Sequence, residues 1–359
     1  MTIIAPGGSI GILGGGQLGR MLALAAARFG YRVHIFCPDA DSPAFDVAHT
    51  VHEAAYDDEQ ALEAFAKAVS VATYEFENVP VAAAEIVARH TLLRPGTEPL
   101  RITQDRLREK DFLNESGVKT ANYAAFEDAE GLDGALKTVG KPAIVKTRFG
   151  GYDGKGQALI KTRKGIEPAL QALSGAPAIA EERIPFDREV SVIVARSVAG
   201  DVAAFPVSEN HHEKGQLRET QVPAAMSDPL EAKAKVMATK IANALDYVGV
   251  MTLELFVRDD GTLNANEMAP RVHNSGHWTL EGAATSQFEQ HIRAICGLPL
   301  GPTDLLARCR MINLLGDAIN DWQECLKDPQ AHYHHYGKRE AREGRKMGHI
   351  TWVYRDERS

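Results

Sequence analysis

Apolar and polar positions fall into distinct blocks from the start of the chain. Ser9 to Leu13 is a short apolar run that predicts a buried strand, and Gly14 to Gly19 follows as a glycine loop. Gln17 to Phe29 carries apolar residues at helical spacing and is closed by Gly30. Tyr31 to Cys37 predicts a second strand, Glu59 to Val69 another helix, and the apolar start of VATYEFEN a third strand. Strand, helix, strand in this order implies a parallel sheet covered by helices over residues 1–100. Arg94-Pro-Gly-Thr-Glu-Pro99 reads as a linker, because two prolines and a glycine interrupt any periodicity.

Beyond it, Asp105 to Ser116 is helical in pattern. Short strands separated by glycines follow at Ala143 to Thr147, Gln157 to Lys161 and Ala178 to Glu182, which predicts a small strand-rich lobe. From Arg188 the stretches REVSVIVAR, VAAFPVSEN, VGVMTLELFV and LNANEMAP read as successive strands of an antiparallel sheet, with a helix at Asp228 to Leu245. The expected division is 1–100, 101–186 for linker helix and strand-rich lobe, 187–310 for the antiparallel sheet, and a small segment 311–359. The fold class is therefore α/β in the first part and α+β in the rest.

Composition narrows the reading. The chain has 359 residues, 44% hydrophobic and 25% charged, which excludes collagen, coiled coil and wholesale disorder. Forty lysines and arginines against 48 acids leave a formal charge of -8, so nothing broadly attracts a nucleic-acid backbone. Four scattered cysteines suggest neither a zinc site nor a disulfide framework. The apolar stretch Met21 to Ala27 is too short for a membrane helix and lacks a basic leader, so the expected setting is the cytoplasm.

Four motifs carry chemistry. Gly14-Gly-Gly16-Gln-Leu-Gly19, between strand and helix, suits a phosphate, because free N–H groups at the helix start face a loop with no side chains. A dinucleotide would also need an acid at the end of the next strand, where Cys37-Pro38 stands instead. Lys146, followed by Arg148-Phe-Gly-Gly-Tyr-Asp-Gly-Lys-Gly156, describes a glycine loop able to close over nucleotide phosphates. In TLELFVRDDGTLNANEM, a two-residue turn at Asp260-Gly261 would set Glu254 directly opposite Glu267. Two facing carboxylates repel unless a cation such as Mg²⁺ neutralises them. Glu267-Met-Ala-Pro-Arg-Val-His-Asn-Ser-Gly-His277 then concentrates Arg271, His273 and Asn274, groups suited to an anion and a polar ring. Glu75 and Glu77 follow a strand of the first unit, at the edge where such sheets bind ligands. His332, His334 and His335 lack the acids or cysteines of a zinc site.

Together GILGGGQLGRM, YEFENVP, AIVKTRFGGYDGKGQ, EVSVIVAR and NEMAPRVHNSGHWT resemble the ATP-grasp superfamily, and within it the 5-(carboxyamino)imidazole ribonucleotide synthases of purine biosynthesis, from about residue 8 to residue 350. The resemblance implies a preATP-grasp domain, a mobile lid and a larger antiparallel domain that traps ATP. By resemblance Arg106 and Lys146 hold ATP phosphates, and Gly151, Tyr152, Asp153, Gly154, Lys155, Gly156 and Gln157 form the covering loop. Glu181, Glu182, Arg183 and Ile184 meet the adenine edge, while Glu189 takes the ribose and His212 falls in the ATP site. Glu254 and Glu267 carry Mg²⁺, with Asn266 beside them. Gly15, Gly16, Gln17 and Leu18 hold the 5′-phosphate of aminoimidazole ribonucleotide together with Lys338, Arg345 and Lys346. Glu75, Tyr152, Arg271, His273 and Asn274 surround that substrate and bicarbonate, and Arg271, Asp153, Lys155, His273 and Asn274 form the catalytic set. Lys155 stands where an arginine is common, which keeps the charge but loses a bidentate fork.

The implied reaction joins bicarbonate to an amine through carboxyphosphate, with ATP and Mg²⁺, in a cytoplasmic homodimer. Three other readings start from the same residues: a different ATP-grasp ligase, a dinucleotide-binding oxidoreductase using Gly14 to Gly19, and a non-catalytic nucleotide sensor.

Overall fold

The computed structural model describes residues 2–150 and 156–354. Gly151, Tyr152, Asp153, Gly154 and Lys155 therefore lie outside the described residues.

The first five strands, β1 (Ser9–Leu13), β2 (Arg32–Phe36), β3 (Thr50–His52), β4 (Val71–Tyr74) and β5 (Leu92–Leu93), form a parallel sheet in the order β3-β2-β1-β4-β5. β1 sits at its centre and is buried almost throughout, which is why it reads as a continuous apolar run. Helix α1 (Gln17–Arg28) leaves the glycine loop directly, and Gly30, at φ 77°, ends it. The expected linker is in part a helix. Thr97–Thr103 begins one residue after Gly96, with Pro99 inside its first turn, where a missing N–H costs nothing.

Helix α2 (Arg106–Glu115) is capped by the Asp105 carboxylate on Leu107 N–H at 3.0 Å. It leads to an antiparallel sheet of β6 (Tyr123–Phe126), β7 (Ala143–Thr147), β8 (Gln157–Ile160) and β9 (Ala178–Glu182), in the order β6-β9-β7-β8. Arg106 N–H donates to Arg148 carbonyl at 3.0 Å, so the start of α2 is tied to the strand that carries Lys146.

The remaining strands are β10 (Arg188–Arg196), β11 (Val202–Ala204), β12 (Ser208–Glu213), β13 (Gln216–Val222), β14 (Gly249–Val257), β15 (Leu263–Ala269), β16 (Arg308–Leu315), β17 (Ala331–His335) and β18 (Lys346–Tyr354). They form one sheet in the order β15-β14-β10-β12-β13-β16-β18-β17, with β11 added on β10. VAAFPVSEN is thus two strands, separated at Phe205-Pro206. Helix α3 (Asp228–Ala244) lays Ala234, Met237, Ala238, Ile241 and Ala242, one helical stripe, against Val190, Val192 and Val194 of β10.

Helix α4 (Gln287–Ile295) joins the two large sheets. Its Phe288, Ile292 and Ile295 share a core with Leu22 and Ala26 of α1 and Ile193 of β10. His291, fully buried, accepts from Val250 N–H at 3.1 Å, which leaves its other nitrogen to donate to Thr73 Oγ1 at 2.8 Å. Burial pushes this imidazole down to about 3, so it bridges β4 and β14 as a neutral ring.

Candidate active site

β14 and β15 meet in the expected hairpin, and Glu254 pairs with Glu267. The route to that register differs from a two-residue turn. Arg258 N–H bonds Thr262 carbonyl, the loop is Asp259 to Gly261, and Gly261 takes φ 75°, the three-residue form that wants glycine last. Near the turn Val257 faces Leu263, one residue out of step. A bulge at Asn266 adds one residue to β15 and restores the step, so Glu254 and Glu267 oppose each other. Burial first, then the neighbouring Glu267, pushes the Glu254 carboxyl up to about 8. A carboxylate held so far above its usual range favours a cation, and an all-oxygen set of this kind suits a hard divalent ion.

α2 lies along the β15 side of this hairpin and presents Arg106, Glu109 and Lys110 on one face. Arg106 reaches Glu267 Oε2 at 3.3 Å. Glu109 accepts from Met268 N–H at 2.6 Å, and Lys110 donates to Asn266 carbonyl at 2.6 Å, so both hold the bulged strand by its backbone. Lys110 also lies 3.3 Å from Glu181 Oε2, the oxygen that Lys146 meets at 3.2 Å. Burial works against the Glu181 charge, but Lys110 and Lys146 overcome it and hold the carboxyl down to about 2. Gln157 stands opposite Lys146 on β8, and Gly156 takes φ 69° beside Thr147.

Where β9 ends, Glu182 N–H is used by Asn122 and Arg183 N–H by Pro142, whereas Ile184 N–H has no acceptor among the described residues. A cavity of about 300 Å³ opens nearby, lined by Phe186, Glu189, Asn210 and His212 among others. Glu189 and His212 form an ion pair in it. Burial opposes the His212 charge, but the hydrogen bond to Glu189 and the nearby Glu254 raise it above its usual range.

The glycine loop holds an anion already, and the anion is part of the chain. Glu75 accepts from Gly16 N–H at 2.8 Å and from Gly19 N–H at 2.9 Å. A Cβ on Gly14 would lie 2.5 Å from Glu75 Cγ, and one on Gly15 would lie 2.4 Å from Ser42 Oγ, so the loop needs glycine for close packing. Gln17 and Leu18 N–H have no acceptor among the described residues, which leaves half of the helix start for an outside anion. Burial raises the Glu75 carboxyl, only partly offset by those N–H groups and by Arg271.

Arg271 is paired with Glu77 and donates to Val272 carbonyl at 3.1 Å. Burial favours a protonated Glu77, yet Arg271 holds its carboxyl below the usual range. His273 Nε2 lies 3.2 Å from Glu254, and burial with Arg271 and Lys346 nearby holds its imidazole well below the usual range. Lys346 also acts on Glu77 and Glu254, and its carbonyl accepts from Lys338 at 2.7 Å. Two residues are turned elsewhere. Asn274 exchanges hydrogen bonds with Asn313, and Arg345 donates to Glu340 carbonyl within its own loop.

Lys110 and Glu109 belong to this constellation without being marked by any motif, and Glu77, expected with Glu75 at the ligand-binding edge of the first sheet, holds Arg271. Helical spacing from Arg106 was the available signal for Glu109 and Lys110.

Three family matches divide the chain: residues 8–104 match the ribonucleotide synthetase preATP-grasp domain, 111–288 the ATP-grasp domain, and 309–359 the phosphoribosylaminoimidazole carboxylase C-terminal domain. The N5-carboxyaminoimidazole ribonucleotide synthase of Brucella melitensis is 53% identical over 354 residues, 98% of each chain. That of Bacillus subtilis is 44% identical over 358 residues, covering 99% of this chain and 94% of its own. Among solved structures, an ADP complex of an N5-carboxyaminoimidazole ribonucleotide synthetase superposes with a TM-score of 0.96 at 42% identity, covering 99% of this chain and 94% of that one. An Aspergillus clavatus enzyme with ADP and 5-aminoimidazole ribonucleotide gives a TM-score of 0.90 at 32% identity, covering 97% and 94%. With the parallel sheet, the antiparallel sheet and the carboxylate hairpin all in place, the chain belongs to the N5-carboxyaminoimidazole ribonucleotide synthase family of ATP-grasp ligases.

Proposed function

We propose that the protein carboxylates 5-aminoimidazole ribonucleotide with bicarbonate at the expense of ATP, giving N5-carboxyaminoimidazole ribonucleotide, ADP and phosphate. The observation that carries this reading is the facing pair Glu254 and Glu267, with Arg106 on one side and His273 and Arg271 on the other. In it, residues 101–186 act as a lid over nucleotide held on residues 187–310.

Lys146 and Arg106 take the phosphates, Ile184 N–H takes the adenine edge, and Glu189 with His212 takes the ribose. Gly151 to Gln157 closes over the phosphates and keeps water out. Glu254, Glu267 and Asn266 would hold Mg²⁺, whose chemistry is to neutralise charge on the transferred phosphoryl group. A bicarbonate oxygen attacks the γ-phosphorus, the bond to ADP breaks, and carboxyphosphate forms. The exocyclic amine of the ribonucleotide then attacks the carboxyl carbon, phosphate leaves with the C–O bonding pair, and the amine proton is lost. Gln17 and Leu18 N–H, with Lys338 and Lys346, hold the 5′-phosphate. Glu75, Arg271, His273, Asp153, Lys155 and Tyr152 enclose the imidazole and bicarbonate, and no covalent bond to the enzyme is needed. The protein acts in the cytoplasm as a homodimer, in keeping with its family and with its four free cysteines.

ADP release by the purified protein with Mg²⁺-ATP tests this, with the ribonucleotide and bicarbonate each supplied or withheld, bicarbonate being removed by degassing. Turnover is expected only with the ribonucleotide, rising with bicarbonate. Turnover indifferent to the ribonucleotide would overturn the acceptor and leave an ATP-grasp ligase of another kind.

A further inference from the structure

A line of buried polar side chains runs across the large sheet and ends at His273. Thr220 Oγ1 donates to Asn210 Oδ1 at 3.0 Å, and Asn210 Nδ2 donates to Ser191 Oγ at 2.9 Å. Ser191 Oγ lies 2.7 Å from Ser275 Oγ, and Ser275 Oγ lies 2.8 Å from His273 Nδ1. Thr220, Ser191 and Ser275 are fully buried and Asn210 is 7% exposed, so water does not compete for these bonds. Ser191 is also the strand partner of Glu254.

The direction of the chain is set at its His273 end. Ser275 N–H aims at His273 Nδ1 at 3.4 Å, so Ser275 Oγ donates to the same nitrogen and in turn accepts from Ser191 Oγ. A nitrogen that accepts from two donors carries no proton, so the ring proton is on Nε2, 3.2 Å from Glu254. Gln287 fixes the backbone of His273 from both sides, accepting from its N–H at 2.9 Å and donating to its carbonyl at 2.7 Å.

We infer that Asn210, Ser191 and Ser275 are positioning residues that lock His273 in one tautomer, so that it presents a permanent donor to Glu254 and fixes where that carboxylate points. The effect on Mg²⁺ rests on the proposed role of Glu254, whereas the lock does not. In the other tautomer a lone pair would face the ionised Glu254 carboxylate, the form that binds a cation, and repel it. Partners that orient a metal-binding carboxylate commonly change metal affinity about 10- to 100-fold when removed.

The test compares Ser275→Ala and Ser191→Ala with the wild type. Selective ¹⁵N labelling of histidine, with His273 assigned from a His273→Gln variant, reads the tautomer directly. Mg²⁺ titration of ADP formation reads the consequence. Expected are an Nε2-protonated ring in the wild type and mixed tautomers in Ser275→Ala. The Mg²⁺ half-activation concentration should rise about 10-fold, with the ATP KM nearly unchanged. Ser191→Thr, which keeps the hydroxyl, should restore the wild-type spectrum. A wild-type tautomer and Mg²⁺ response in both alanine variants would overturn the lock. A changed tautomer with unchanged Mg²⁺ response would uphold the lock and overturn its effect on metal binding. Should Ser275→Ala fail to fold, Ser191→Ala carries the same readings.

Discussion

Glu181 and Glu254 are two carboxylates of one site, the first buried and the second half-buried. Glu181 lies between Lys110 and Lys146 and is held down to about 2, whereas Glu254 faces Glu267 and is pushed up to about 8. Two lysines therefore face one carboxylate around Glu181, whereas one arginine, Arg106, meets a pair of carboxylates at the hairpin. The contrast assigns different work to the two faces. Pairs that satisfy each other hold structure, and a pair that repels is held in place by the fold for a ligand that relieves it.

Breaking the repelling pair gives the largest expected loss. Glu267→Gln should lower ADP formation about 100- to 1000-fold, the range seen when a group that stabilises developing charge is removed. Thermal unfolding without ligands should change little, because the repulsion from Glu254 and the ion pair with Arg106 are lost together. Breaking the satisfied pair should do the reverse. Lys110→Met leaves Glu181 with one partner, and removing a member of a buried ion pair costs about 3 to 5 kcal/mol. Chemical denaturation should report this as a lower midpoint with the same slope. If Lys110→Met instead lost activity with stability intact, the division between the two faces would fall.

A third variant tests the glycine loop, where Glu75 plays the part Lys110 and Lys146 leave to others. A Cβ on Gly16 would lie 2.8 Å from Glu75 Oε1, so Gly16→Ala should cost about 1 to 3 kcal/mol of overpacking. Its kinetic signature should be a raised KM for the ribonucleotide with the ATP KM unaltered.

The last effect is on the pH dependence of stability. Glu254 binds its proton more tightly in the folded chain than in the unfolded one. Its contribution therefore falls as pH rises from the ordinary carboxylate range to about 8 and is constant outside that window. Glu254→Gln should flatten this part of the curve, measured by unfolding at a series of pH values. Glu181 has the opposite sign, and its contribution is lost only as pH falls toward about 2.

The two faces were not equally legible in the chain. Glu254 and Glu267 are visible because strands alternate with a period of two and Asp260-Gly261 marks one turn. That reasoning reached the right pair through a turn one residue longer than expected and a bulge that cancels the error. Lys110 shows only as a position four residues after Arg106, and it gains meaning once α2 lies on β15. Ser191, Asn210 and Ser275 give no signal, since serine and asparagine are common and only two strands and the turn after β15, brought together, make them a chain. The glycine loop reads the same whether it binds a phosphate or Glu75, because glycine spacing describes the cradle and not its occupant. β16, β17 and β18 carry mixed polar and apolar residues, so their place in the large sheet comes from partners distant along the chain.

The turn at Asp259 to Gly261 and the bulge at Asn266 are two irregularities that cancel. Removing Asn266 would leave Glu267 directly after Ala265 and still opposite Glu254, because the extra residue lies between the two pairs. What would change is the bend of β15 where it carries the carboxylate. An engineered hairpin can therefore be shortened at its loop without moving the pair, whereas a change at the bulge re-aims it.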